Sequence, residues 1–219
     1  MDATIAMNLI NICASSMLLC SILSMAMLRM PPMVRLFSIQ SIFLGAMAAV
    51  VAYYYDEPHI YIMCALTIII KGLVIPKVLD NVLLKVEIVK EAKLKIGIAG
   101  SLLICAVLIF ISYYVTEPFI MKFDTMENSC LALSMSIVLI GLLMMASRRK
   151  AITEVIGLLM MENGLFLGAL SISHGMPLIV EIAAFFDVLV ALVIIGVFIL
   201  RINRSFHSTD VADLRRLKE

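Results

Sequence analysis

Seven apolar stretches, near residues 4–28, 35–55, 59–79, 96–115, 129–147, 151–173 and 178–200, occupy almost all of this 219-residue chain. Each is long enough to cross a ~30 Å hydrocarbon core, which takes about 20 helical residues. The expected fold is therefore all-α, an integral membrane protein of seven transmembrane helices. Hydrophobic residues make up 63% of the chain and mean hydropathy is +1.10, so lipid is the solvent to reason in. The connections are too short for a soluble domain. A catalytic head, if one exists, belongs to another protein.

Orientation follows from the basic residues. Of the 17 Lys and Arg, all but Lys71 and Lys122 fall beside alternate connections or in the tail, from Arg29 and Arg35 through Arg148, Arg149 and Lys150 to Lys218. The opposite connections hold Asp56, Glu57, Glu117, Asp124 and Glu127. The chain is expected to run N-terminus out and C-terminus in. Its formal charge of +1 hides this sidedness and offers nothing to nucleic acid. The start lacks a basic n-region, so span 1 reads as a retained anchor rather than a cleaved signal.

Catalytic motifs are missing. There is no Gly-rich phosphate loop, nucleophile elbow, zinc motif or facing histidine pair for haem. The five cysteines show no metal spacing, and the 17 methionines suit flexible packing better than any cofactor box.

A weak repeat runs through the chain. FLGA occurs at residues 43–46 and again at 166–169, with a carboxamide, Gln40 or Asn163, three residues before each Phe. Each copy follows a basic connection. Spans 1–3 and 5–7 then read as parallel copies of a three-helix unit, with span 4 supplying the extra crossing. The expected divisions are 1–95 for the first unit and its connection, 96–128 for helix 4 and an outer loop, 129–203 for the second unit, and 204–219 for a cytoplasmic tail. The copies differ in charge: Glu162 matches the apolar Ile39.

Ionisable residues in mid-membrane are costly and usually pair, line water or carry ions. Glu162 lies roughly 17 Å from the basic end of span 6, and Asp187 roughly 20 Å from that of span 7, at 1.5 Å per residue. Spans 6 and 7 are antiparallel neighbours, so the two carboxyls can share a proton, as a relay requires. The competing reading locks them in subunit contacts. Lys71, in IIIKGLVIP, is a relay group, a counter-ion for Glu162 or Asp187, or a side chain snorkelling to the cytoplasmic edge. Pro76 frees a backbone carbonyl behind it and is expected to kink span 3.

Accessory candidates surround these three. Glu154 and Glu181 lie one turn inside span ends, where headgroup water is the simpler partner. Glu154 and Glu162 are ~80° apart around one helix, so one face can carry both inward. Asn163 is a candidate hydrogen-bond partner or helix contact. His59 and His174, at outer span ends, either assist proton release or are incidental.

Residues 147–152 (SRRKAI) and 156–164 (IGLLMMENG) carry a resemblance, as do LIVEI at 178–182 with Asp187 and the tail segment DVADL. The chain resembles the component E family of hydrogenase-4, membrane subunits of formate-hydrogenlyase-type group 4 [NiFe]-hydrogenase complexes. Its C-terminal half is similar to the K subunit of respiratory complex I and the C subunit of multi-subunit Na⁺/H⁺ antiporters. Two departures stand out. Leu159 replaces the usual Glu after IGL, with the acid about one turn later at Glu162, and the second carboxyl is Asp187 rather than Glu.

The resemblance implies a non-catalytic membrane-arm subunit of a prokaryotic cytoplasmic membrane. It would lie between a junction membrane subunit and antiporter-like subunits, beneath a peripheral hydrogenase arm. The [NiFe] centre and iron–sulfur clusters would all belong to those partners, with none in this chain. Lys71, Glu162 and Asp187 would line a proton or Na⁺ path. The alternatives are a subunit of a multi-subunit Na⁺/H⁺ antiporter and a structural spacer seating antiporter-like subunits.

Overall fold

The structure, a computed structural model, describes residues 3–56, 58–85, 97–120, 128–148 and 150–173. Its order is α1 (Ala3–Ala26), α2 (Met30–Tyr55), α3 (Pro58–Thr67), a π-helical segment (Ile68–Val74), α4 (Ile75–Lys85), α5 (Ile98–Ile120), α6 (Asn128–Ser147) and α7 (Ala151–Ser173). Six helices among the described residues are long and apolar enough to span a membrane, with α3, the π segment and α4 counted as one rod from Ile60 to Asn81. The chain is a multi-pass membrane protein. The expected seventh span, 178–200, lies outside the described residues, as do Asp187, Glu181 and His174.

Two of the expected boundaries shift near prolines. Helix α2 begins at Met30 rather than near 35, because Pro31 and Pro32 sit in its first turn, where backbone N–H groups have no helical acceptor anyway. Pro118 is likewise carried inside α5. The sixth stretch coincides with α7 to the residue. Helix α2 stops at Asp56, whose backbone is left-handed (φ 57°) and whose N–H donates to Ala52 O; a short polar side chain tolerates that conformation.

The third span departs most from expectation. Instead of a simple proline kink, the chain widens to i→i−5 bonding over one π-helical segment, closed by Ile75 N–H donating to Ile70 O. Pro76 has no N–H for the Gly72 carbonyl four residues back. That oxygen accepts from Ser38 Oγ of α2 at 2.6 Å. The hydroxyl of a neighbouring helix thus offsets the donor that proline removes, as membrane helices require.

Helices α1–α2 and α6–α7 form the two most closely packed hairpins, and they lie like beside like, α1 against α6 and α2 against α7. This is the arrangement that stacking two parallel copies would produce. Glycines allow α6 and α7 to approach: a Cβ on Gly141 would lie 2.8 Å from Gly157 O, and one on Gly157 3.0 Å from Gly141 O. Small residues at such a seam let backbones pack without a hydrophobic driving force.

One methionine-rich cluster, including Met25, Met30, Met33, Met144 and Met160, fills the end near the α1–α2 and α6–α7 connections. A second, around Met17, Met47, Ile60, Ile137 and Phe166, fills the rest of the bundle. The surface is apolar too, with Phe110 at 74% exposure on α5. A surface of that kind suits lipid, not water.

Among the described basic residues at connections, Arg148 is the exception. It was expected as an ordinary cytoplasmic-side charge, yet it is fully buried. Its Nη2 donates to Met25 O at 2.8 Å and Met27 O at 3.1 Å. Carbonyls at a helix C-terminus lack helical donors and carry partial negative charge, so the guanidinium ties the end of α1 to the α6–α7 connection. Burial pulls this group below the usual arginine value.

Candidate functional site

Lys71 sits in the middle of the π segment and is completely buried. Its Nζ lies 3.4 Å from Glu162 Oε2, in a pair whose side chains are 0% and 4% exposed. Both residues are at the centres of their spans: Lys71 midway along Ile60–Asn81, Glu162 midway along Ile152–Ile172. Snorkelling is thereby corrected. The Lys71 ammonium lies beside a carboxylate at mid-span rather than reaching for the span end.

Asn163, next to Glu162 on α7, accepts from Lys71 Nζ through Oδ1 at 3.2 Å. Its Nδ2 donates to Gln40 Oε1 at 3.3 Å and to Ser41 Oγ at 3.1 Å. Gln40 Nε2 in turn donates to Ser21 Oγ at 2.9 Å and Met17 O at 3.4 Å. Both serines donate back to their own helices, Ser21 to Met17 O at 3.1 Å and Ser41 to Phe37 O at 3.0 Å. A continuous buried polar seam therefore joins α1, α2, the π segment and α7. In lipid such groups are costly unless satisfied by one another.

Of the residues singled out in the sequence, the structure brings Lys71, Glu162 and Asn163 together. It does not bring Glu154 there. That residue is exposed in the first turn of α7, where a carboxylate faces the positive end of the helix dipole; the ~80° between it and Glu162 is enough to turn it out of the bundle. His59 falls in the first turn of α3. Asp187, Glu181 and His174 lie outside the described residues.

Sequence reasoning marks Gln40 only as a sign of the repeat, and passes over Ser21 and Ser41. The available signal was a polar side chain within an uninterrupted apolar span. Ile39, the counterpart of Glu162, is 43% exposed on the outside of the bundle, so the repeat places an apolar group where lipid would meet it. No group of three metal-ligating side chains occurs among the described residues, and all five cysteines are free.

A family model for NADH-ubiquinone/plastoquinone oxidoreductase chain 4L matches residues 129–219. Glu162 and Asn163 fall inside that region; Lys71, Gln40, Ser41 and Ser21 precede it. An uncharacterised protein of Mycobacterium tuberculosis is 35% identical over 130 residues, covering 59% of this chain and 59% of that protein. Hydrogenase-4 component E of Escherichia coli K12 is 25% identical over 182 residues, covering 83% of this chain and 84% of the relative, and the Shigella flexneri protein of the same name matches to the same extent. No solved structure matches the chain. The chain is thus a homologue of hydrogenase-4 component E whose C-terminal part carries the chain 4L domain.

Proposed function

We propose that this chain is a non-catalytic membrane-arm subunit of a hydrogenase-4-like, complex I-like assembly in a prokaryotic cytoplasmic membrane. It has seven spans, N-terminus out and C-terminus in, and helps couple electron transfer in partner subunits to proton (or Na⁺) translocation. Antiporter-like subunits, a junction subunit and a peripheral hydrogenase arm are its partners, and the [NiFe] and iron–sulfur centres are theirs. Homology to hydrogenase-4 component E and to chain 4L supports the assembly.

The Lys71–Glu162 pair carries the reading. Two opposite charges buried at mid-span, linked to a polar seam, are what a group passing an ion between half-paths requires. Asp187 is the proposed second carboxyl, with Glu181, His59 and His174 as accessory groups at the span ends. The placement of tyrosine fits these span ends, though belts form at either face of a bilayer. All six fall at Tyr53–Tyr55, Tyr61, Tyr113 and Tyr114, which the proposed topology puts at the outer ends of α2, α3 and α5, the depth aromatic belts prefer.

A structural spacer is the second reading, favoured by the same pair, since a buried ion pair can set packing rather than move ions. The double variant Lys71→Met/Glu162→Gln separates them. It removes both charges and both titrating groups while approximating their volume. Normal assembly with lost proton translocation in vesicles is expected. Assembly and translocation both at wild-type levels would favour the spacer.

A further inference from the structure

Every hydrogen in the polar seam points one way. The Met17 and Phe37 carbonyls can only accept. Ser21 and Ser41 donate to them, at 3.1 and 3.0 Å, and so each serine oxygen offers a lone pair to the next group. Gln40 spends its nitrogen on Ser21 Oγ and Met17 O, which turns its oxygen toward α7. Asn163 spends its nitrogen on that oxygen and on Ser41 Oγ, which turns its own oxygen to Lys71. Two backbone carbonyls at one end and the donor-only Lys71 ammonium at the other therefore hold the Asn163 amide in one orientation and one place.

We propose that Gln40 is a positioning residue: by anchoring the Asn163 amide, it holds the Lys71 ammonium against Glu162. Without Gln40 the Asn163 Nδ2 keeps one acceptor, Ser41 Oγ, so the amide is held less firmly and its Oδ1 is no longer fixed in place for Lys71. The loss is large because every member of the seam is buried, where an unmade hydrogen bond is costly. The role rests on the coupling reading above, and it gives the first half of the chain a function. Gln40, Ser21 and Lys71 all precede the chain 4L match at 129–219, so the N-terminal helices orient and neutralise an acidic site carried by the C-terminal ones.

The test uses the full chain in lipid bilayers, labelled with ¹⁵N-lysine and ¹³C-glutamate. Solid-state NMR reads the dipolar contact between Lys71 Nζ and Glu162 Cδ, assigned by its absence in Lys71→Met. Gln40→Met is expected to abolish or strongly weaken that contact and to lower proton translocation by the assembled complex by roughly tenfold. An undiminished contact would overturn the positioning role. A lost contact with undiminished translocation would overturn its part in coupling. If Gln40→Met does not fold, Ser21→Ala/Ser41→Ala removes one acceptor from each amide nitrogen with little change in volume. The same weakening is expected there, and an unchanged contact again overturns the proposal. Wild-type translocation in the Lys71→Met complex would sink the coupling reading separately, leaving the NMR result to decide the role of Gln40.

Discussion

Gln40 and Asn163, which hold matching places ahead of the two FLGA segments, are hydrogen-bonded to each other, Asn163 Nδ2 to Gln40 Oε1 at 3.3 Å. Two like-placed positions, each three residues before a Phe-Leu-Gly-Ala segment, are successive links in one buried seam. The second half contributes the acid, the first half its cation and the orientation of both.

Because the acid is paired, Glu162→Gln is not a simple probe of proton exchange. It leaves Lys71 buried without this carboxylate, and breaking a buried pair on one side costs about 3–5 kcal/mol. Glu162→Gln and Lys71→Met are each expected to lower the thermal unfolding temperature in detergent. The double variant should recover most of that loss, and the cycle is read by differential scanning fluorimetry.

Ser38→Ala should cost about 1 kcal/mol, since it leaves the Gly72 carbonyl without its donor. Pro76→Ala restores a backbone N–H in the same rod, so Ser38→Ala should cost less in that background. Additive effects of the two substitutions would show that the hydroxyl does not replace the donor missing at Pro76.

Gly141→Val should separate α6 from α7, because its side chain would meet the Gly157 carbonyl and the backbone of Met161 rather than a flexible side chain. Overpacking of this kind costs roughly 1–3 kcal/mol. Gly97→Ala is the control, with nothing within 4 Å of its Cβ. Both are measured as loss of folded protein on heating in detergent.

Arg148→Ala removes the donors to Met25 O and Met27 O, each a charge-assisted bond worth on the order of 1.5–3 kcal/mol. Disulfide trapping between cysteines introduced near the end of α1 and the start of α7 should fall sharply. Arg148→Lys should recover only part of it, as one ammonium cannot reproduce the planar fork.

Glu154→Gln should leave both assembly and translocation unchanged, since the side chain is exposed and away from the seam. Translocation assayed in vesicles checks this, and a clear loss would place Glu154 on the ion route after all.

The sequence by itself determined that the chain is a stack of membrane helices, and roughly where the six described ones lie. Apolarity over some 20 residues is a local property and needs no partner. Its errors were local as well: Pro31 and Pro32 sit where a first turn accepts them, and Pro76 is carried by a widened turn. The three intramembrane charges stood out for the same reason, since one ionisable group in an apolar run is conspicuous. What the sequence could not decide was which faces meet. In lipid the outside of a helix is as apolar as its packed side, so no periodicity tells Ile39, on the surface, from Glu162, its buried counterpart. That Lys71 meets Asn163 across 92 residues, and Asn163 meets Gln40 across 123, depends on which helices pack together. Tertiary structure alone makes that choice, because only there does a buried polar group find the single neighbour able to satisfy it.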